Sequence, residues 1–380
     1  MRSSKALDKK SGVNRLSDRR ISCNGKTYTV SCLKSVTELE AFRSEWERLQ
    51  ALNGEAFSYF QTFDWCMTWA RVFAAKAGAE LQVYVVWLGD TAIALFPFAV
   101  NQPTANVRVL SILGEPLGQY GGIVHDPVSF NPELGKAVLR AIKRESRCDT
   151  ICVSHCPAHS MLWHVVRDEG LPEEPRNSSA ILDLDAIPDW DTYHASLPKS
   201  MRKERNKRRN KLSSAGKLDY RVVPAGTKEF GTLLAQCLEF KKVWLSETGR
   251  LAGNLGTPET LAFFQSLGAQ TRNGQPVSGA VVQSLSVDGE VVGIEFGMIC
   301  GGDYYSYLGG INWEWRKFSP GKVQMEFAQR WAKENGIRRF DFLSDPSDYK
   351  SFWTNSKHEL LSVSIPLSAK GYIHSRIWKS

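Results

Sequence analysis

The sequence lacks any apolar run long enough to cross a membrane. Its longest, residues 93–100, has strand length and contains Pro97, whereas a helical span needs about 20 apolar residues. Residues 1–26 are polar and basic, without the apolar core of a secretory signal, so a disordered tail is expected there. Eight Cys in 380 residues are too sparse for a disulfide framework. Cys148, Cys152 and Cys156 lie four apart with His155 and His159 nearby, but this spacing is not that of the usual zinc pairs. The segment reads as a strand with the three Cys on one face, hence buried structural thiols and no metal. Reduced thiols and the absence of a targeting segment predict a cytoplasmic protein. No Ser-His-Asp or Cys-His arrangement is legible, which disfavours a covalent enzyme intermediate.

The length exceeds one ordinary domain and suits two. A hydrophobic content of 42% with twelve Trp supports a sizeable core. The net charge of +8 is concentrated in residues 1–26 and 199–217. It favours acidic partners: nucleotide phosphates, anionic lipid, an acyl carrier protein or nucleic acid.

Hydrophobic periodicity predicts helices over 37–52 and 62–75, then a hairpin of strands 81–88 and 91–100 around Gly89-Asp90. Short strands at 107–113 and 119–124, a helix at 132–145, a strand at 150–154, a helix at 159–169 and a strand at 179–184 follow. A basic helix over 198–215 opens a second series: strand 218–223, helices 227–248 and 258–270, and strands 277–287 and 291–300 around Asp288-Gly289. The two series share an order. Gly121-Gly122 precedes Asn131-Pro132 and a helix, and Gly309-Gly310 precedes Ser319-Pro320 and a helix; the second Gly stands ten residues before the Pro in both. The expected organisation is a tail over 1–26, a unit over 27–186 and a unit over 187–380.

Residues 291–342 carry the densest signal. Strand 291–300, a turn at Gly301-Gly302-Asp303 and strand 304–308 lead to a helix opened by Ser319, Pro320 and Gly321 and closed by Asn335-Gly336. Ser319 suits an N-cap and Pro320 the first helical position. A free helix N-terminus beside a strand attracts phosphate. In the first copy Glu133 follows the Pro and would repel it, so phosphate binding is assigned to the second.

Tyr307 to Gly310, Phe318-Ser319-Pro320-Gly321, Gly336 to Phe342, Tyr349-Lys350 and Trp353 together resemble the GNAT-superfamily acyltransferases of the CelD-like, cellulose-biosynthesis type. Residues 60–65 resemble that family's N-terminal helix start, and residues 197–212 its basic central helix. The resemblance covers roughly residues 55–365. Fem-type peptidyltransferases, which are tandem GNAT folds, are related in architecture. The resemblance implies an α/β fold of the α+β GNAT type, built of two tandem units with mixed, largely antiparallel sheets.

It also implies acyl-CoA as co-substrate, with the pantetheine arm along a splayed strand, taken as residues 291–300, where Gly293, Gly297 and Met298 lie. The pyrophosphate is assigned to Ser319, Pro320, Gly321 and Lys322, since the usual glycine-rich pyrophosphate loop is missing. Acyl transfer needs a base and donors facing the developing oxyanion. Glu295 and Asp341, carboxylates within apolar strands, are the candidate bases. Tyr307 is the candidate acid, and Lys350 a phosphate or carbonyl contact. Arg202, Arg205 and Arg209 share a helix face and, with Tyr349, are candidates for gripping a phosphorylated or lipid-linked acceptor. The expectation is an acyl-CoA-dependent N- or O-acyltransferase acting on a sugar, lipid or amino-acid precursor, in envelope or exopolysaccharide synthesis, with peripheral membrane contact compatible. Two other readings stand beside it: Fem-like aminoacyl transfer from tRNA, and a noncatalytic nucleic-acid or membrane-surface binding protein. No aromatic residues interleave with the basic helix to stack bases, which weighs against nucleic acid.

Overall fold

The computed structural model describes residues 19–53, 58–74, 78–172, 177–251, 253–344 and 348–377. The chain forms two compact units. Residues 1–177 and 358–380 make the first, residues 178–357 the second.

Unit 1 contains strands β1 (Arg19–Cys23), β2 (Lys26–Leu33), β3 (Glu80–Leu88), β4 (Thr91–Thr104), β5 (Val107–Ile112), β6 (Val124–His125), β7 (Thr150–Pro157) and β8 (Leu171–Pro172). Its helices are α1 (Val36–Ala41), α2 (Arg43–Leu52), α3 (Phe63–Trp69), α4 (Pro132–Glu145) and α5 (Met161–Val166). Unit 2 contains β9 (Asn177–Asp183), α6 (Trp190–Ser196), α7 (Lys199–Ser213), β10 (Leu218–Pro224), α8 (Lys228–Glu247), α9 (Pro258–Gln265), β11 (Ala269–Arg272), β12 (Gln275–Val287), β13 (Glu290–Cys300), β14 (Asp303–Ile311), α10 (Pro320–Glu334) and β15 (Arg339–Ser344). The chain then returns to unit 1 as β16 (Ser356–Pro366) and α11 (Ala369–Ile377).

The strand orders of the two units repeat one plan. In unit 1 the order β2-β3-β4-β5-β7 is antiparallel except for the parallel β5–β7 pair, which α4 connects. In unit 2 the order β10-β12-β13-β14-β15 is antiparallel except for the parallel β14–β15 pair, which α10 connects. A parallel pair needs a crossover helix, so the strand–helix–strand order read from the repeat dictates this geometry. Each order is extended by a strand from the other half of the sequence: β9 pairs with β15, and β16 with β7. That exchange displaces the expected division at residues 186 and 187. Local periodicity locates a strand but not its partner.

Other expectations are corrected. Residues 19–23, expected within the tail over 1–26, form a hairpin strand paired with the strand over 26–33; residues 1–18 lie outside the described residues. The helix expected over 37–52 breaks at Phe42, and residues 119–123 form no strand. His155 adopts φ 50 within β7, which breaks the alternation. Ile151, Val153 and Cys156 consequently face the core of unit 1, while Cys152 is only half-buried. Among the described residues no three His, Cys, Asp or Glu side chains gather as a metal site, and no helix is long and apolar enough to cross a membrane.

Candidate active site

β13 and β14 form a hairpin around Gly301-Gly302, whose φ values of 59° and 86° suit a turn that only glycine adopts freely. Glu295 lies opposite Gly309, and Phe296 opposite Leu308. The register then shifts so that Gly297 faces Ser306, which leaves Tyr307 as the extra residue of a β-bulge. On its other side β14 pairs in parallel with β15 only from Asp303 to Tyr305, against Arg339 to Asp341. Beyond that point the ladder ends although β14 continues to Ile311 and β15 to Ser344. Gly309, in the parted stretch, is exposed.

This geometry corrects the donor strand. β13 is paired on both sides, with β12 and with β14, so the backbone at Gly297 and Met298 is already engaged. A Cβ at Gly297 would collide with the Tyr304 hydroxyl and come 2.6 Å from the Tyr305 carbonyl. Gly297 therefore serves the packing of its own sheet. The parting strands are β14 and β15.

Glu295 is buried, 3% exposed, on the face covered by α10, the face where Gly293 meets Gln324 of that helix. The Ser306 hydroxyl donates to its Oε1. Its Oε2 lies behind Gly309: a Cβ there would stand 3.4 Å away. Burial raises the Glu295 carboxyl to about 7; the Ser306 hydrogen bond and the Lys241 and Lys350 ammoniums limit the rise. Gln283 is its partner across β12, and the Tyr220 hydroxyl donates to Gln283 Oε1 at 2.7 Å. Lys350 is buried and donates to the Phe342 carbonyl at 2.7 Å, on the β15 side of the parting.

The other candidates separate. Asp341 follows Phe340, which stacks on Tyr304 on the α10 side, so strand alternation turns Asp341 to the opposite face from Glu295. Its Oδ1 accepts from the Leu343 amide at 2.8 Å and holds the turn where Leu343 adopts φ 60. The two carboxylates thus do not flank one centre. Tyr307 packs edge-on against Phe264 and Phe296, with ring centroids 5.3 and 5.9 Å away. The Tyr349 side chain lies outside the described residues. Ser306 is the contributor that sequence reasoning missed; its signal was a small hydroxyl among Tyr304, Tyr305 and Tyr307, opposite a Glu-bearing strand.

The helix start is also modified. Ser319 stands at φ 55, ψ 47 and makes no side-chain cap, because it simultaneously ends the short 3₁₀ turn Trp313–Phe318. The Lys322 and Val323 amides donate to the Ser319 carbonyl at 3.1 and 3.4 Å, and Pro320 has no N–H. The first turn thus offers an anion few open amides besides that of Gly321. A Cβ on Gly321 would meet Ile311 at 3.0 Å, which sets this turn over the end of β14. Charge gathers there instead. Burial and Arg208 lower the Lys322 pKa against the pull of Glu204, and Lys211 donates to the Lys317 carbonyl.

α7 carries the remaining candidates. Arg209 donates to Glu326 at 3.3 Å and to Asn206 at 2.9 Å. Arg205, a candidate acceptor contact, is 1% exposed, because Trp353, Phe352 and Tyr193 enclose its guanidinium.

Residues 199–351 match the model of an acetyltransferase (GNAT) domain. The chain has a GNAT-like fold. No curated protein matches the sequence. Among solved structures, FemX superposes with a TM-score of 0.63 at 12% identity, covering 89% of this chain and 98% of that one. The C-terminal domain of a putative lysylphosphatidylglycerol synthetase from Agrobacterium fabrum gives 0.55 at 12% identity, covering 90% and 95%. L-PGS from Bacillus licheniformis gives 0.54 at 14% identity, covering 88% and 94%. At these identities the likeness concerns the fold.

Proposed function

We propose that unit 2 transfers an acyl group from acyl-CoA to an amine or hydroxyl of a sugar, lipid or amino-acid precursor, in cytoplasmic steps of envelope or exopolysaccharide synthesis. The observation that carries this reading is the parting of β14 from β15 beneath the start of α10, with Glu295 directly behind the exposed Gly309. The match to an acetyltransferase domain over residues 199–351 supports it. The donor fits this frame: the open edge of β14 suits an amide-bearing arm, and Gly321, Lys322 and Arg208 suit a diphosphate. A bound acyl-CoA supplies a thioester carbonyl carbon ready for attack. The chain's own residues handle the proton. The half-exposed Ser306 hydroxyl takes the acceptor's proton as it passes its own to Glu295 Oε1; the acceptor then bonds the thioester carbon as the C–S bond breaks, and the CoA thiolate leaves and takes a proton from water. With a pKa of about 7, Glu295 is a competent base near neutrality. Lys350 fixes the Phe342 carbonyl on the far side of the gap.

A second reading has its own support. Lys199, Lys203, Lys207 and Lys211 recur every fourth residue on the exposed face of α7, a stripe suited to a polyanion. Titration with CoA, acetyl-CoA, longer acyl-CoAs and charged tRNA, read by thermal shift, separates the two. A donor at 100 times its Kd should add about 2.7 kcal/mol of stability. Stabilisation by tRNA and by no CoA species would overturn the acyl-CoA reading.

A further inference from the structure

Beside the donor cleft lies a second cluster, built by α6, α7, α10 and the turn that ends at Trp353. Arg205 is its centre. Its guanidinium sits 4.4 Å from the Trp353 ring centroid, 5.4 Å from Phe352 and 5.9 Å from Tyr193. Nη2 reaches the Phe352 carbonyl at 3.4 Å and the Tyr193 hydroxyl supports the guanidinium electrostatically, but buried Nε and Nη1 make no well-formed hydrogen bond among the described residues. The same holds for Arg202 Nε and His194 Nε2. Among the described residues Glu326, 4% exposed, is the carboxylate of the cluster: it takes Arg209 at 3.3 Å and stands 4.0 Å from His194. Arg202, Arg205, Arg209 and Glu326 all act electrostatically on His194, so the five groups share one place. Among the described residues three guanidiniums therefore face one carboxylate, with four buried N–H or ring-nitrogen positions unmatched. A buried charge is tolerated when paired and hydrogen-bonded, and here the pairing is incomplete on the positive side.

We infer that this cluster binds a phosphate group, held by Arg202, Arg205 and His194 and balanced by Glu326. Donors arriving from three separate side chains suit a tetrahedral oxyanion better than a planar carboxylate, which a single guanidinium fork would take side-on. The aromatic enclosure holds Arg205 in place, and Arg202 and Arg209 carry the cluster to the surface. Assigning that phosphate to the acceptor rests on the transferase reading; binding of phosphate does not. The test is calorimetric titration of the full chain with inorganic phosphate, glucose 1-phosphate and acetate at constant ionic strength, with sedimentation on phosphatidic acid vesicles as a further arm. Saturable binding of a phosphate monoester, soluble or on vesicles, is expected, weakened about tenfold or more in Arg202→Gln. Arg205→Met should abolish it; should that variant not fold, Arg202→Gln and His194→Gln decide. Absence of saturable phosphate binding in the unaltered chain, acetate binding as tightly as phosphate, or equal binding by Arg202→Gln overturns the inference. The CoA titration is separate, so either reading can fail alone.

Discussion

Glu295→Gln gives the sharpest test of the site, because its consequence does not require the substrate. The carboxyl is displaced from 4.5 to about 7 by burial. The folded state therefore keeps its proton at pH values where the unfolded chain releases it. Below 4.5 both states are protonated and pH has no effect through this residue. As pH rises from 4.5 through 7 the unfolded chain is favoured progressively, and above 7 the cost is constant. At 1.36 kcal/mol per tenfold change in proton affinity, the displacement amounts to about 3 kcal/mol. Gln fills nearly the same volume and does not titrate. Urea unfolding of both proteins at pH 4.5 and pH 8 should show the variant gaining about 3 kcal/mol on the unaltered chain at the higher pH. Taking the difference between the two proteins cancels the other titrating groups. A difference that stays flat across this range would refute the assignment of Glu295 as a buried carboxyl titrating near neutrality. If Glu295 is also the base, kcat/KM rises with pH through about 7 and falls by roughly 10²-fold in the variant, while acyl-CoA affinity is kept.

Ser306→Ala removes the hydrogen bond that holds the Glu295 pKa down, so the alkaline rise of the rate profile should move to higher pH and turnover should drop; an unmoved profile would remove Ser306 from the relay. Gly321→Asp should abolish CoA binding by placing a carboxylate at the α10 start, whereas Gly321→Ala, which only presses on Ile311, should weaken it modestly, and Glu133→Ala in unit 1 should change nothing; isothermal titration reads all three. Gly297→Ala should destabilise unit 2 by about 1–3 kcal/mol through its collision with Tyr304 and Tyr305, measured by denaturant midpoint. Asp341→Asn should leave turnover within a few-fold, in keeping with a carboxylate that holds the Leu343 turn; a 10²-fold loss would restore it as a base.

The amino-acid sequence alone determined the local elements of the site. The apolar runs of β13 and β15, the Gly301-Gly302 turn, the Pro320 start of α10 and its Asn335-Gly336 end are written in side-chain size and backbone freedom, which act over a few residues. A carboxylate amid the apolar residues of β13 already marked Glu295 as unusual, since burying that charge is costly wherever the strand packs. The repeated strand–helix–strand order likewise foretold two units of one plan.

Pairing and facing were decided only by tertiary structure. Which strand β9 and β16 would join depends on the path of a chain over more than 150 residues, and no local pattern records it. The bulge at Tyr307 and the end of the β14–β15 ladder are departures from regular pairing, visible only once the strands are side by side. Those departures expose Gly309 above Glu295, bring Ser306 to its carboxylate and turn Asp341 to the other face. The same holds for Arg205. Its sequence neighbours are mostly charged, as on a solvated helix, yet Trp353 lies 148 positions away in sequence and 4.4 Å away in space. Sequence fixes what each short segment prefers; long-range packing decides which segments meet, and with that which charged groups lose their water.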